Sequence, residues 1–310
     1  MSGQEFPAVP RQAEYPHAKH FVLHLSDTHL LPGGAPLYGH INNAGYLRQL
    51  LASLEAAGTK PEAIIVTGDL TDKGEPQAYA ALREIVDPVA ERLGTRVIWV
   101  MGNHDDRANF RTELLADGPS VQPIDQVFDV NGLRVITLDS TVPGFHYGEV
   151  SDQQLEWLAA ELGTPAPHGT ILAMHHAPLP CILDLAVLVE LRDQEKLKRV
   201  ITGSDVRTIL AGHLHFSTHG TFAGIPVSVA AATCYTQDLV VAVGGMRRQD
   251  AAQAYNLVHV YGDTVVHSVV PMVQHQTFGA VDAEEVGDRL READVVIAPP
   301  GSPTTSNFVF

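Results

Sequence analysis

Cysteine is almost missing from this chain of 310 residues, which has only Cys181 and Cys234. Two thiols cannot build a disulfide framework or an all-thiolate zinc site. Basic residues are also scarce, 20 Lys and Arg against 36 Asp and Glu, for a formal net charge of −16. A surface of that sign repels nucleic acid and anionic membrane, so a polyanionic polymer is excluded as the natural partner, while a small anion can still be drawn to a locally positive site. No apolar run approaches the length of a membrane span. The N-terminal "MSGQEFPAVPRQAEYPHAKH" lacks the apolar stretch of a secretory signal. These absences predict a soluble chain in a reducing, cytoplasmic setting.

What is abundant is histidine, with 16 residues, and an apolar fraction of 45% that can supply a sizeable core. Residues 1–17 read as a flexible leader, since Pro7, Pro10 and Pro16 oppose regular structure. A main domain over 18–275 follows, and 276–310 read as an extension, partly disordered or packed on the surface. Within the domain, short runs rich in β-branched residues alternate with helical patterns. "FVLHL", "AIIVTG" and "RVIWVMG" are strand-like, separated by "AGYLRQLLASLEAAG" and "PQAYAALREIVDPVAERLG" with helical spacing. "LRVITLDS", "TILAMH" and "TILAGHLH" continue as strands, with "DQQLEWLAAELG" a helix after the first. From about Ser217 onward the helical pattern stops, and "YNLVHVYGDTVVHSVVP" reads as a hairpin turning at Gly262-Asp263. The βαβαβ order means parallel strands covered by helices, followed by an antiparallel part: an α/β fold of two sheets packed together with helices outside.

The strands end alike. "FVLHLS" leads to Asp27 and His29, "AIIVTG" to Asp69, and "RVIWVMG" to Asn103 and His104. "TILAM" leads to His175 and His176, and "TILAG" to His213 and His215. Any one of these alone reads as a turn, a helix cap or a polar residue satisfied locally. In a mostly parallel sheet, however, the carboxyl ends of the strands share one edge, where ligands bind. Imidazole, carboxylate and one amide oxygen, without thiolate, suit Mn, Fe or Zn in an open site. The donors are too many for one tetrahedral ion and suit two cations roughly 3.5–4 Å apart sharing a carboxylate, with Asp69 the natural bridge on the central strand.

"DTH", "GDLTDKGE", "GNHD", "HH" and "GHLH" together resemble the calcineurin-like metallophosphoesterase superfamily. Within it, the chain resembles the bacterial class III cyclic-nucleotide phosphodiesterases, through "GDLTDKGEPQAY", "MGNHDDR", "VPGFHYGEV", "VELRDQ", "GIPVSVA" and "ATCYTQDL". The resemblance spans about Phe21 to Pro271. It implies a four-layer α/β/β/α sandwich of two mixed β-sheets flanked by helices. It implies one cation on Asp27, His29, Asp69 and His215 and another on Asp69, Asn103, His175 and His213, with iron and manganese the expected metals and zinc an alternative. Of the adjacent pair, it favours His175 over His176. The leaving alkoxide needs a proton, and His104, directly after the donor Asn103, is the best candidate to supply it. Asn103, His104 and His215 are read as substrate contacts; the resemblance places His146 near the substrate as well and has Asp72 orient His104. A homodimer is also implied.

Two cations lower the pKa of a shared water and screen the phosphate oxygens of a diester. Set against Asp27, Asp69 and one hydroxide they leave about one positive charge, which suits a monoanionic diester. The expected activity is hydrolysis of a cyclic nucleotide such as 3',5'-cyclic AMP to 5'-AMP, with 2',3'-cyclic nucleotides a further substrate class. A glycerophosphodiesterase or broad-specificity phosphodiesterase is the alternative enzyme. A metal-binding scaffold of the same fold would have lost donors that are all present here. "CILDLAVLVELRD", Cys181 to Asp193, is apolar on nearly every side. It reads as a buried core helix, a cover over the active site or a dimer surface.

Overall fold

The computed structural model describes residues 10–272 and 276–303. Among them the order is β1 (Arg11–Gln12), β2 (His20–Leu25), α1 (Asn43–Ala56), β3 (Ala63–Thr67), α2 (Pro76–Leu93), β4 (Arg96–Val100), α3 (Arg107–Leu114), β5 (Gln126–Val130), β6 (Leu133–Leu138), α4 (Asp152–Leu162), β7 (Thr170–Met174), α5 (Gln194–Ile201), β8 (Val206–Ala211), β9 (Thr218–Phe222), β10 (Ile225–Val229), β11 (Thr236–Asp238), β12 (Arg247–Gln249), β13 (Ala254–Val260), β14 (Val265–Pro271), α6 (Ala283–Glu292) and β15 (Val295–Val296).

Continuous apolar strands have both faces to bury, and the alternation of side chains decides which residue goes where. In β3, Ala63 and Ile65 face the second sheet, while Ile64 and Val66 face α1 and α2. In β7, Ile171 and Ala173 meet the first sheet, while Leu172 and Met174 meet α4 and α5. Three apolar interlayers result, and three interlayers make four layers: helices, sheet, sheet, helices. Burying one such Ile or Leu fully contributes roughly 1.5–3 kcal/mol.

Both sheets are mixed. One has the order β14-β13-β2-β3-β4, parallel from β2 to β4 and antiparallel at β13 and β14. The other has the order β5-β6-β7-β8-β10-β9, parallel from β6 to β10 with an antiparallel strand at each edge. The carboxyl ends of β2, β3, β4, β7 and β8 therefore lie along one end of the sandwich. Helix α2 begins at Pro76, runs through Pro88 and stops at Gly94, whose φ of 66° puts it in the left-handed region that glycine tolerates.

Three expectations are corrected. Residues 10–17 are not a free leader: β1 pairs with β15 in parallel, and the His17 N–H donates to the Ala298 carbonyl at 2.9 Å. Prolines block a ladder only where their own N–H is needed, and Arg11 and Ala13 supply these bonds. The rest of that leader, residues 1–9, lies outside the described residues, as do the proposed boundary at 275 and residues 304–310. Helices do not end at Ser217, because α6 follows. Its Val286 and Leu290 stand at i and i+4 among charged residues, and none of its residues is buried in the core. Cys181 to Asp193 is no core helix. It carries a 3-10 turn over Asp184–Val189, with Ile182, Leu185, Val187 and Leu188 exposed.

Candidate metal centre

Each donor sits one to four residues beyond a strand end, where the chain turns sharply. Asp27, His29, Asp69, His213 and His215 all have φ between 43° and 72°. Asp and His enter this left-handed region more readily than most residues, but each still costs of order 1–2 kcal/mol, and a turn cluster of this kind persists only when its surroundings hold it. The holding is visible. Asp27 N–H donates to the Gly68 carbonyl and His29 N–H to the Asp69 carbonyl, so the loops after β2 and β3 are laced together. Gly102 lies so close to the Asp69 main chain that any Cβ would overlap it.

The loop after β4 is locked by a residue the sequence reading passed over. Asp105 is flanked by five donors: the main-chain N–H groups of Leu70, Thr71 and Gly102, and the hydroxyls of Thr71 and Tyr79. Burial and the nearby Asp69 charge nevertheless push its carboxyl up to about 6. It is the last residue of "GNHD", and that position was the available signal.

The expected donors meet. Ligand atoms of Asp27, His29, Asp69 and His215 lie within 4.8 Å of one another, and so do those of Asp69, His175 and His213. Asn103 Oδ1 joins the second group, 3.1 Å from His175 Nε2. Asp69 belongs to both, with Oδ2 3.4 Å from His29 Nε2 and Oδ1 3.4 Å from His175 Nε2. His176 is not in the cluster. Its Nδ1 is 2.9 Å from Ser140 Oγ and its Nε2 3.1 Å from the His146 carbonyl.

All four clustered histidines are aimed from behind. One ring nitrogen of each faces an oxygen: His29 Nδ1 the Asp72 carboxylate, His175 Nδ1 the Thr67 carbonyl, His213 Nε2 the Val189 carbonyl, and His215 Nδ1 the Tyr235 carbonyl. An N–H spent on that oxygen leaves the other nitrogen's lone pair directed into the cluster. Asn103 is aimed likewise, since its Nδ2 donates to His146 Nδ1 at 2.8 Å, turning Oδ1 inward.

This arrangement fits cations. His29 Nε2 lies 3.2 Å from His215 Nε2, and His213 Nδ1 lies 3.1 Å from His175 Nε2, so lone-pair nitrogens converge where only a positive centre or a proton can lie between them. Asp27 Oδ1 is buried without a hydrogen-bond donor. Titration agrees. Burial disfavours charge on His29 and His175, but Asp69 with Asp72, and Asp69 with Asp27, outweigh it and raise them to about 10 and about 9. Burial and the neighbouring His175 lower His213 to about 3. Burial would raise Asp27, but His215 outweighs it and brings it to about 2. Without cations, protons on His29 and His175 balance the two carboxylates.

Asp72 requires a correction. Its carboxylate lies 3.1 Å from His29 Nδ1 and 4.0 Å from His104 Nδ1, so it serves His29. His104 is oriented by the Asp72 main-chain carbonyl, 2.8 Å from Nδ1, and its own N–H donates to Asp69 Oδ1 at 2.9 Å. His104 and His146 line a cavity of about 340 Å³ beside Asp69 and Asn103, and the Leu183–Val189 segment forms part of its wall. Among the described residues, no helix is long and apolar enough to cross a membrane.

Residues 22–217 match the profile of the family described as calcineurin-like phosphoesterase. The chain belongs to the calcineurin-like phosphoesterase family. As a member, it is 61% identical over 288 residues, 93% of this chain and 95% of the relative, to a Rhodococcus erythropolis protein named "Probable cyclic nucleotide phosphodiesterase". It is 56% identical over 290 residues, 93% of this chain and 91% of the relative, to the cAMP/cGMP dual specificity phosphodiesterase of Mycobacterium tuberculosis. In fold, this phosphoesterase is similar to the crystal structure of a dimetal phosphatase from Danio rerio, with a TM-score of 0.60, 15% identity, and coverage of 83% of this chain and 98% of that one.

Proposed function

We propose that this phosphoesterase is a dinuclear-metal phosphodiesterase that hydrolyses cyclic nucleotides, 3',5'-cyclic AMP to 5'-AMP first among them and 2',3'-cyclic nucleotides as a further class. The reading is carried by one observation: two groups of inward-facing donors that share Asp69. It is supported by the names of the relatives from R. erythropolis and M. tuberculosis, which this chain matches over nearly its full length. Asp27, His29, Asp69 and His215 would hold one cation, and Asp69, Asn103, His175 and His213 the other, with iron and manganese the metals we assign and zinc the substitute. When bound, such a pair supplies an activated water and positive charge for the phosphate oxygens.

The chain's own residues do the rest. Asp27 and Asp69 set the charge of the site. His29, His175, His213 and His215 are held with one nitrogen inward by oxygens behind them. The Asn103 amide, fixed by His146, presents its oxygen to the cluster at the edge of the substrate cavity, which His215 also lines. His104 is anchored at Nδ1 by the Asp72 carbonyl, which leaves Nε2 to hold a proton at the cavity and pass it to the departing ribose oxygen. A homodimer and a cytoplasmic setting complete the proposal. They are supported by exposed Ile182, Leu185 and Leu188 beside the cavity and by two free cysteines.

The test compares turnover of 3',5'-cyclic AMP, 2',3'-cyclic AMP, cyclic GMP, glycerophosphodiesters and bis(p-nitrophenyl) phosphate by the metal-loaded protein. Cyclic nucleotides should have the highest kcat/KM. A higher value for glycerophosphodiesters moves the enzyme to that class, and a metal-loaded protein with no turnover at all makes it a scaffold. His104→Ala should retain both metals yet lose about 10²- to 10⁴-fold in turnover, most with alkoxide leaving groups. Loss of a metal in that variant would refute the role given to His104.

A further inference from the structure

One wall of the cavity is not used by phosphoester chemistry. The stretch "ATCYTQDL" leads from the sheet into β11, and Gln237 N–H donates to the His215 carbonyl at 3.0 Å, which ties β11 to the donor cluster. Across the β11–β12 ladder, Gln237 is paired directly with Arg248. Residues directly opposite in an antiparallel pair project from the same face, and both of these line the cavity with Asp69, Asn103 and His104.

Arg248 is the only Lys or Arg on that lining among the described residues. Its neighbour Arg247 is taken up by Asp238. Arg248 has no carboxylate partner among the described residues. Its guanidinium lies 5.6 Å from the Tyr235 ring centre and 5.8 Å from that of Tyr38, with Nη1 3.5 Å from the Tyr38 hydroxyl. Gln237 Oε1 is shielded from solvent and has no hydrogen-bond donor. An acceptor left without a donor in a sheltered place is costly, and a ligand that supplies the donor recovers that cost.

These two side chains define what can bind. A second phosphate offers acceptors only, so it would satisfy Arg248 and leave Gln237 Oε1 unpaired. The ligand must present a donor and acceptors on one edge. A purine does: adenine offers the N6 amino group beside N7, which an amide meets with its oxygen and its NH₂, and guanine offers O6 beside N7, which a guanidinium meets with two N–H groups. Met246 and Leu185, on the same lining, supply apolar surface for the ring.

We propose that Gln237 and Arg248 form a purine-edge subsite for the base of the cyclic nucleotide, the amide reading adenine and the guanidinium reading guanine. The proposal rests on the cyclic-nucleotide reading above and specifies how one site accepts both bases.

Steady-state kinetics of the metal-loaded full chain test it, with 3',5'-cyclic AMP and cyclic GMP as crossed substrates. Arg248→Ala should lower kcat/KM for cyclic GMP about tenfold more than for cyclic AMP. Gln237→Leu should do the reverse by a similar factor. Arg248→Lys keeps the charge but not the fork, and should give an intermediate ratio. An equal fall for both nucleotides, from misfolding or from a general phosphate contact, overturns the subsite, as does no change in either. Normal cyclic-nucleotide turnover with unchanged ratios overturns the subsite alone. Wild-type turnover of bis(p-nitrophenyl) phosphate without turnover of either nucleotide overturns the proposed function and the subsite together.

Discussion

The two halves of the donor cluster share Asp69 but are built differently. Asp27, His29 and His215 are buried, and the groups that aim the two histidines, the Asp72 carboxylate and the Tyr235 carbonyl, belong to the loops that lace the sheet ends together. Asn103 and His213 are only half-buried. Their aiming groups are His146, which is exposed, and the Val189 carbonyl, at the end of a 3-10 turn whose apolar side chains face solvent. Only His175 in this half is fully buried, with its rear nitrogen on the main chain of β3. The contrast teaches that one half is preorganised by the sandwich itself and the other by loops bordering the substrate cavity. A cation in the second half should therefore exchange more readily.

The strongest way to break the comparison is to remove what both halves share. Asp69→Asn should lower activity at least about a thousandfold and bring metal content from two per chain to one or fewer, read by elemental analysis beside kcat. Asn103→Ala should act on one half only, with activity falling about a hundredfold and one cation retained. If both cations are lost, the halves are not independent. Asp72→Asn should weaken metal affinity by about 10- to 100-fold, as losing the partner behind a ligating histidine does, and the weakening should appear in the buried half.

Proton release sharpens the contrast further. His29 is raised to about 10 and His175 to about 9, so at pH 7 without cations both carry protons that metal must displace. Binding should release about two protons per chain, one from each half, and affinity should rise with pH up to that range. Calorimetry in buffers of different ionisation enthalpy reads the number, and release of none contradicts the assigned states. The smallest effect should come from His146→Ala. Freeing the Asn103 amide should cost only a few-fold in affinity for the loop-held cation, because the outward partner is exposed to competing water.

Much of this was legible in the sequence because the buried strands are nearly uninterrupted apolar runs and the donors stand immediately beyond them. Where a strand ends, period and composition change together, and Asp27, Asp69, Asn103, His175 and His213 all fall at such changes. Partnerships between loops were not legible. The resemblance assigns Asp72 to His104 alone, and only the fold shows its carboxylate going to His29 and its main-chain carbonyl to His104. Asp105 looks like any turn aspartate until five donors from three segments converge on it. Cys181 to Asp193 misleads by composition. An apolar run reads equally as core, as a cover over the site or as a dimer surface; here Leu183 and Leu191 are buried, Ile182, Leu185, Val187 and Leu188 are exposed, and the segment borders the cavity. Helix α6 was missed for the opposite reason: it is short and mostly charged, and its Val286 and Leu290 are not buried in the core.

The claim on which the rest depends is a pair of cations bridged by Asp69. Anomalous diffraction from crystals grown with manganese tests it most directly. The account predicts two peaks roughly 3.5–4 Å apart, one on each side of the Asp69 carboxylate. A single peak, or peaks away from Asp69, would contradict it.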